Sequence, residues 1–148
     1  MAILQLYNSL QQLPLFQGMS NSDLTTVIAH TKFGFTKIAK DKMAIREGDS
    51  CTNFVFLLNG TLKVESVSDD RSYKITETIG APSILQPERL FGLNQRYTRT
   101  FIAETDVNFM TLDKREAMKL SNDFMVFKLN LLNILSTQIQ KISRTPFR

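Results

Sequence analysis

The sequence has few of the residues that build disulfides and metal centres. Cys51 is its one cysteine, which excludes an internal disulfide and agrees with a reducing compartment. A cysteine-ligated zinc site or iron–sulfur cluster would need several thiolates. His30, the one histidine, falls at the end of a predicted helix, where an imidazolium would oppose the helix dipole; an axial haem ligand is the alternative. We predict that the chain holds no metal and no resident cofactor.

Long apolar runs and targeting signals are also missing. No run approaches the ~20 residues that a membrane-spanning helix needs, and the opening MAILQLYNSLQQL has neither a basic segment nor a cleavage site. Hydrophobic residues make up 43% and charged residues 22%, a balance typical of a soluble globular domain. The net charge of +4 is spread along the chain rather than concentrated in one stripe. We therefore predict a cytoplasmic protein without a membrane partner.

The order of sequence patterns predicts helices, then strands, then helices. Residues 1–31 show helical spacing of apolar side chains. In residues 32–112, short β-branched and aromatic runs alternate with turn residues, which favours about eight strands in a small antiparallel barrel or jelly roll. Residues 113–145 return to helical spacing. We predict one α+β domain over residues 1–148.

Two local signals refine this order. Ser20 or Asn21 can cap the second helix, because a short polar side chain there accepts a hydrogen bond from a free N–H group. Asn59-Gly60 lies between two strand-like runs and is the strongest short-range hairpin signal in the chain.

The last helical segment carries two apolar stripes rather than one. A helix packed on one surface needs a single stripe, so two stripes favour burial against the chain's own domain on one side and a second copy on the other. The alternative is a helix sunk in its own core. We predict a homodimer through the first stripe, which consists of Phe124, Phe127, Leu131, Ile134, Leu135 and Ile142. The second stripe consists of Met125, Leu129, Leu132 and Ile139.

Signatures of catalysis are scarce. The sequence contains no GxxxxGK[ST] loop and no GxGxxG run, and one histidine leaves little scope for a catalytic triad. The carboxylate pair Asp69-Asp70 falls where a turn is expected. A cupin-type metal enzyme shares the barrel architecture, but it needs several converging His or carboxylate ligands. We predict no catalytic residues and no enzyme activity.

Three segments in a fixed order carry a family resemblance: LPLFQGMSNSDL, IREGDSCTNFVFLLNGTLKV and FIAETDVNFMTLDKREAMKL. From Leu13 onward, the chain resembles the cyclic-nucleotide-binding-like sensor domain of Crp/Fnr transcription regulators. The resemblance implies a double-stranded β-helix jelly roll with N-terminal helices and a long C-terminal dimerisation helix. It also implies that DNA is read by a helix-turn-helix after that helix. We expect that module to be absent from this chain, which would be an excerpt or a stand-alone sensor.

In nucleotide-binding members of this family, a cassette between two late strands runs from a Gly-Glu pair to an Arg-Ser or Arg-Thr pair. The acid takes the ribose 2′-OH, the arginine pairs with the cyclic phosphate, and a short helix offers N–H groups to the same anion. Here LQPERLFGLNQRYT matches in two imperfect registers. With Phe91-Gly92 as the family's Phe-Gly, Leu93 replaces the acid. With Glu88 as the acid, Pro87 replaces the glycine and removes an N–H donor.

The arginine end of the cassette is displaced as well. By the family's spacing, the phosphate arginine falls nearest Tyr97, between Arg96 and Arg99, and Arg99-Thr100 repeats the Arg-Thr pair late. On a strand, Arg96 and Arg99 would point to opposite faces, so only one could line the interior. The candidate pocket residues are Glu88, Arg89, Phe91, Gly92, Arg96, Arg99 and Thr100.

Three hypotheses for the cassette follow. We favour a degenerate pocket that binds no cyclic nucleotide; the others are a pocket retuned to another small anionic or apolar ligand, and true cyclic-nucleotide binding with Arg99 or Arg96 on the phosphate and Glu88 on the ribose. The overall prediction is the ligand-sensing and dimerisation domain of a Crp/Fnr-like regulator with an unknown small-molecule effector. A plain dimerisation module with a filled barrel and a cupin-like enzyme are the rival interpretations.

Overall fold

In the computed structural model, the backbone is described for residues 3–143 and the side chains for residues 4–141. The chain divides into two compact units. The β unit is Phe33–Asp113, and the helical unit combines the chain up to Lys32 with the chain from Lys114 onward.

The β unit consists of two four-stranded antiparallel sheets within the described range. Its strands are β1 (Gly34–Ile38), β2 (Met43–Ile45), β3 (Asn53–Asn59), β4 (Thr61–Val67), β5 (Lys74–Gly80), β6 (Ser83–Ile84), β7 (Thr100–Ala103) and β8 (Val107–Asp113). The sheet orders are β1-β8-β3-β6 and β2-β7-β4-β5. Side chains alternate between core and surface, so that β4 buries Leu62 and Val64 while Lys63 between them is more exposed. This antiparallel sandwich, with helices before and after it in sequence, confirms the predicted α+β jelly roll.

The chain passes from one sheet to the other at Asn59-Gly60. The predicted hairpin is wrong, because β3 and β4 belong to different sheets. Gly60 has φ +94°, and a Cβ there would lie 2.5 Å from the backbone oxygen of Asp106, so the crossing requires glycine. The hairpin is instead formed by β4 and β5, which pair along their whole length on either side of the turn at Asp69-Asp70.

The helical unit contains α1 (Ile3–Gln12), a 3₁₀ turn (Pro14–Phe16), α2 (Asn21–His30), α3 (Lys114–Asp123) and α4 (Met125–Ser143). Ser20 caps α2, because its Oγ accepts a hydrogen bond from the N–H of Asp23 at 3.1 Å. His30 is the last residue of α2 and is exposed, which confirms its predicted place at a helix end. Within residues 3–143, none of the helices combines the length and the apolar character needed to cross a membrane.

The first half of α4 packs on the 3₁₀ turn of its own unit. The side-chain amide of Asn130 donates hydrogen bonds to the carbonyl oxygens of Leu15 and Gln17, at 2.9 and 2.8 Å. The rings of Phe127 and Phe16 lie 5.4 Å apart, and both are fully buried. These contacts fix the rotation of α4 about its own axis and decide which of its two stripes faces inward.

Candidate ligand-binding site

The cassette segment, residues 85–99 between β6 and β7, contains most of the predicted pocket residues. It forms a 3₁₀ turn over Pro87–Arg89 and is held in place by apolar side chains. Leu90 is fully buried, and the partly buried ring of Phe91 meets Phe54 edge-on at 6.1 Å. Leu90 and Phe91 therefore pack in the core, as the apolar content of the segment predicts.

Gly92 gives the segment a turn that requires a positive φ. Its φ is +88°, in the left-handed region that favours glycine. A Cβ there would meet open space, so no other part of the protein backbone approaches Gly92 closely. The side-chain amide of Gln95 donates a hydrogen bond to the carbonyl of Gly92 at 2.9 Å and closes the turn.

Glu88 is the one candidate with an unsatisfied atom in the structure as described. Its Oε1 is buried and has no hydrogen-bond partner. A buried carboxylate oxygen without a donor is costly, and such atoms often mark functional sites. The preceding residue, Pro87, has no N–H group to offer. The arrangement thus favours a hydroxyl or N–H donor at this carboxylate.

Two of the candidate arginines donate to backbone carbonyls. Arg89 Nε donates to the carbonyl oxygen of Arg96 at 2.7 Å, and Arg96 Nη1 donates to that of Gly48 at 2.9 Å. Arg96 also forms an isolated antiparallel bridge with Ser50. The two contacts of Arg96 with Gly48 and Ser50 join the cassette segment to the loop between β2 and β3. Arg96 and Arg99 do not lie on one strand with opposite faces, because β7 begins only at Thr100.

Tyr97 fills the interior nearest the position expected for the phosphate arginine. It is buried, and its ring lies 6.2 Å from that of Phe101 in an edge-on arrangement. Burial raises the pKa of the Tyr97 hydroxyl, and a hydrogen bond with Cys51 raises that pKa further. The phenol therefore stays neutral at physiological pH and supplies no charge for an anion.

Arg99 reaches the core side of the second sheet, where it meets Glu77. Arg99 Nη1 lies 3.4 Å from Glu77 Oε1, and both side chains are about half exposed. Val64 of β4 pairs with Glu77 of β5 on one side and with Phe101 of β7 on the other. Directly opposite residues share a face, so Glu77 is on the same side as the buried Val64 and Phe101. Thr100 is engaged differently: its Oγ1 accepts a hydrogen bond from the N–H of Glu47 at 3.1 Å.

Sequence reasoning missed Glu77, although a signal was present. In IleThrGluThrIle, the alternation along a strand places Ile75, Glu77 and Ile79 on one face. A single charged residue between two apolar residues on that face indicates a side chain that forms an ion pair or has a function. Its partner Arg99 could not be assigned without the registers of β4 with β5 and of β4 with β7.

Among the clefts that the described residues form, two lie each within a single unit. One of about 180 Å³ in the β unit is lined by Ile45, Asp49, Ser50, Thr52, Asn53, Val55 and Tyr97. One of about 210 Å³ in the helical unit has His30, Lys119 and Asp123 among its lining residues. Over the part of the chain that the structure describes, no three His, Cys, Asp or Glu side chains are grouped so as to hold a metal ion.

Sequence comparison assigns the β unit and the helix after it to a family. The family model of the cyclic nucleotide-binding domain matches residues 35–123, more than half of the chain. The chain belongs to the cyclic nucleotide-binding domain family. Its sequence matches no curated protein.

Solved structures of transcriptional regulators share the fold of this cyclic nucleotide-binding domain. The sensor domain of the regulator DNR from Pseudomonas aeruginosa aligns with a TM-score of 0.73 and 18% identity, over 97% of this chain and 95% of that one. A transcriptional regulator from Thermotoga maritima gives 0.69 and 20%, over 82% and 92%. The catabolite activator protein from Thermus thermophilus gives 0.74 and 14%, over 88% of this chain and 60% of that one. At these identities the likeness shows the fold.

The two stripes of α4 differ sharply in exposure in this cyclic nucleotide-binding domain. Of the predicted dimer residues, Phe127 and Leu131 are buried in the chain itself, at 0% and 6% exposure. The partly buried members are Phe124, Ile134 and Leu135. The side chain of Ile142 lies outside the described residues. The second stripe is between 51% and 67% exposed and consists of Met125, Leu129, Leu132 and Ile139.

Proposed function

We propose that this chain is the ligand-sensing and dimerisation domain of a Crp/Fnr-like transcriptional regulator, with a cassette that no longer binds cyclic nucleotides. The domain is regulatory rather than enzymatic, acts in the cytoplasm and responds to a small-molecule effector. The observation that carries the proposal is the engagement of all three cassette arginines, Arg89, Arg96 and Arg99, with protein acceptors. A cyclic phosphate would have to compete with these acceptors for the guanidinium groups.

The anion site is weakened in three places. A phosphate site of this kind combines a guanidinium with N–H groups at the start of a short helix. Pro87 removes one N–H group, and the neutral Tyr97 stands nearest the expected arginine. Arg99 lies on the core side, and its partner Glu77 carries a negative charge that repels an approaching phosphate.

A second candidate function is cyclic-nucleotide binding, and one observation favours it. The buried, unsatisfied Oε1 of Glu88 would accept a hydrogen bond from a ribose hydroxyl. In that case Arg96 or Arg99 would exchange its present partner for the phosphate. The same unsatisfied oxygen would equally accept a donor from a different small effector.

We propose that the homodimer forms through the exposed second stripe of α4. Its spacing of four, three and seven residues, over Met125, Leu129, Leu132 and Ile139, is the spacing of a coiled-coil seam with one position taken by Ser136. Phe127 and Leu131 hold the same helix to its own unit. This moves the proposed seam from the stripe predicted by sequence to its neighbour.

In the proposed regulator, residues 1–148 act as one sensor domain whose α4 moves between two arrangements. An effector can shift that equilibrium only if it binds one arrangement more tightly than the other. A helix-turn-helix module beyond these residues would read the result on DNA.

Thermal melts of the purified domain with millimolar cyclic AMP or cyclic GMP test the proposal. A ligand at ~100 times its Kd stabilises the native state by about 2.7 kcal/mol, which raises Tm by roughly 5–10 °C for a domain of this size. We expect no shift with either nucleotide. A shift that disappears in Arg96→Ala or Arg99→Ala would establish the second candidate instead.

Two further measurements separate the rival interpretations. Metal analysis of the purified protein would detect the stoichiometric ion that a cupin-like enzyme requires. A metabolite screen by thermal melt should find a stabilising compound if the domain is a sensor, whereas a plain dimerisation module would respond to none.

A further inference from the structure

Four residues form a group on the core side of the second sheet, here called the rim cluster: the partly buried Ser66 and the exposed Ile75, Glu77 and Arg99. Ser66 pairs with Ile75 two residues along the β4–β5 hairpin from the pair of Val64 and Glu77. Strand alternation therefore puts Ser66, Ile75 and Glu77 on the same face as the buried Val64. Ile75 is nevertheless 59% exposed. The sandwich is thus open at this end, and its core-side surface is accessible to a small molecule.

The charges of the rim cluster compensate each other. Arg99 offers five N–H donors in a planar fork, of which the contact with Glu77 at 3.4 Å uses one. The remaining N–H donors of the guanidinium group therefore have the geometry to bind a carboxylate or a phosphate. The carboxylate of Glu77 stands beside it, so a ligand with only negative charge gains from the arginine and loses to the glutamate.

We propose that Glu77 is a specificity-determining residue of the sensor pocket, which excludes ligands whose charge is purely anionic by neutralising Arg99. The inference rests on the proposed function, because it takes the core side of this sheet as the ligand face. Its consequence is that loss of one carboxylate converts the cassette into an anion-binding site. The effector of the wild-type domain is then either a neutral molecule or a molecule with both charges, whose positive group binds Glu77 and whose negative group binds Arg99.

The exchange Glu77→Gln tests this directly, because it removes the charge and keeps the shape. Glu77 lies half exposed on an edge strand, so the variant should fold, and Glu77→Thr is a second neutral variant with high strand propensity. The matched control is Glu65→Gln. Glu65 lies on the opposite face of the same hairpin, where it pairs with Lys63 and Lys74 at 3.6 and 3.5 Å. The control therefore changes the net charge equally and leaves Arg99 untouched.

The assay is the thermal melt with and without 5 mM cyclic AMP, on wild type, both Glu77 variants, the control and the double variant Glu77→Gln, Arg99→Ala. We expect cyclic AMP to raise the Tm of the two Glu77 single variants by several degrees, and to leave the Tm of the wild type, the control and the double variant unchanged. No shift in any protein would overturn the role of Glu77 and leave the proposed function standing. A shift already present in the wild type would overturn both. A shift in Glu65→Gln as large as in Glu77→Gln would reduce the effect to net charge and overturn the assignment of Glu77.

Discussion

Leu131 and Leu132 are neighbours on α4, yet substitution by aspartate should weaken the fold of the protomer at one position and the dimer at the other. Leu131 is 6% exposed and packs in its own helical unit, whereas Leu132 is 52% exposed on the outward stripe with Leu129. The double variant Leu129→Asp, Leu132→Asp should separate the proposed dimer and leave the protomer folded. Aspartate at 131 should unfold the protomer instead.

The magnitudes follow from the buried area. Full burial of a leucine stabilises by about 1.5–3 kcal/mol, so covering the exposed half of Leu129 or Leu132 contributes about 1 kcal/mol. A two-fold dimer contains each residue twice. Leu129→Asp with Leu132→Asp therefore removes roughly 4 kcal/mol, or about a thousand-fold in dimer Kd, before any cost of burying carboxylates. Leu131→Asp loses about 2–3 kcal/mol of burial and places a charge in the core, a large part of the 5–15 kcal/mol that holds a typical domain together.

Sedimentation velocity over a range of protein concentrations, combined with melts followed by circular dichroism, measures both effects. We expect the double variant at 129 and 132 to be monomeric with a well-defined melt, and Leu131→Asp to melt far below the wild type. A double variant that sediments as the wild type does, or a Leu131→Asp protein that is monomeric and fully stable, would refute the assignment of the stripes.

Two other predictions concern the β unit. Gly60→Ala should lower the free energy of unfolding by more than about 2 kcal/mol, because the positive φ of Gly60 adds to a clash with the backbone of Asp106. Gly92 has a similar φ but lies in open space, so Gly92→Ala should lower the free energy of unfolding by only about 1 kcal/mol. Urea unfolding measures both losses, and equal losses would contradict the role of the clash. The pKa of Asp70 is lowered from 3.8 to about 2, first of all by its hydrogen bonds with Ser72. The stability that the ionised Asp70 contributes is therefore complete above pH 3.8 and disappears as the pH falls to about 2. An NMR titration should give a pKa of about 2 for Asp70, and Ser72→Ala should return that pKa toward 3.8.

Local signals in the sequence predicted the fold well wherever one residue type has one structural use. Ser20 caps α2 and His30 ends it, because capping depends on a few neighbouring atoms. Asn59-Gly60 misled, since a positive φ suits both a tight hairpin and a crossing between sheets, and the choice depends on strands distant in sequence. The two stripes of α4 were recognised, but their orientation is set by Asn130 and the 3₁₀ turn more than a hundred residues earlier.

Sequence spacing indicated which residues to consider for the candidate site, but it did not indicate their contacts. The spacing of the cassette located Glu88 and the arginines, yet the carbonyl partner of Arg96 depends on the register between two loops. Glu77 escaped notice because cross-strand neighbours are fixed by pairing, which a single sequence does not reveal.

The hydrogen bonds between the cassette segment and the loop after β2 have a mechanical consequence. Backbone bonds from Gly48 to Tyr97, from Tyr97 to Asp49 and from Cys51 to Gln95 run side by side with the one from Arg96. Because several hydrogen bonds join the two loops, we expect the loops to open and to move together. A molecule that moves one loop should therefore move the other as well. The amide hydrogens of Gly48, Cys51 and Tyr97 should exchange with solvent at similar rates, through one shared opening.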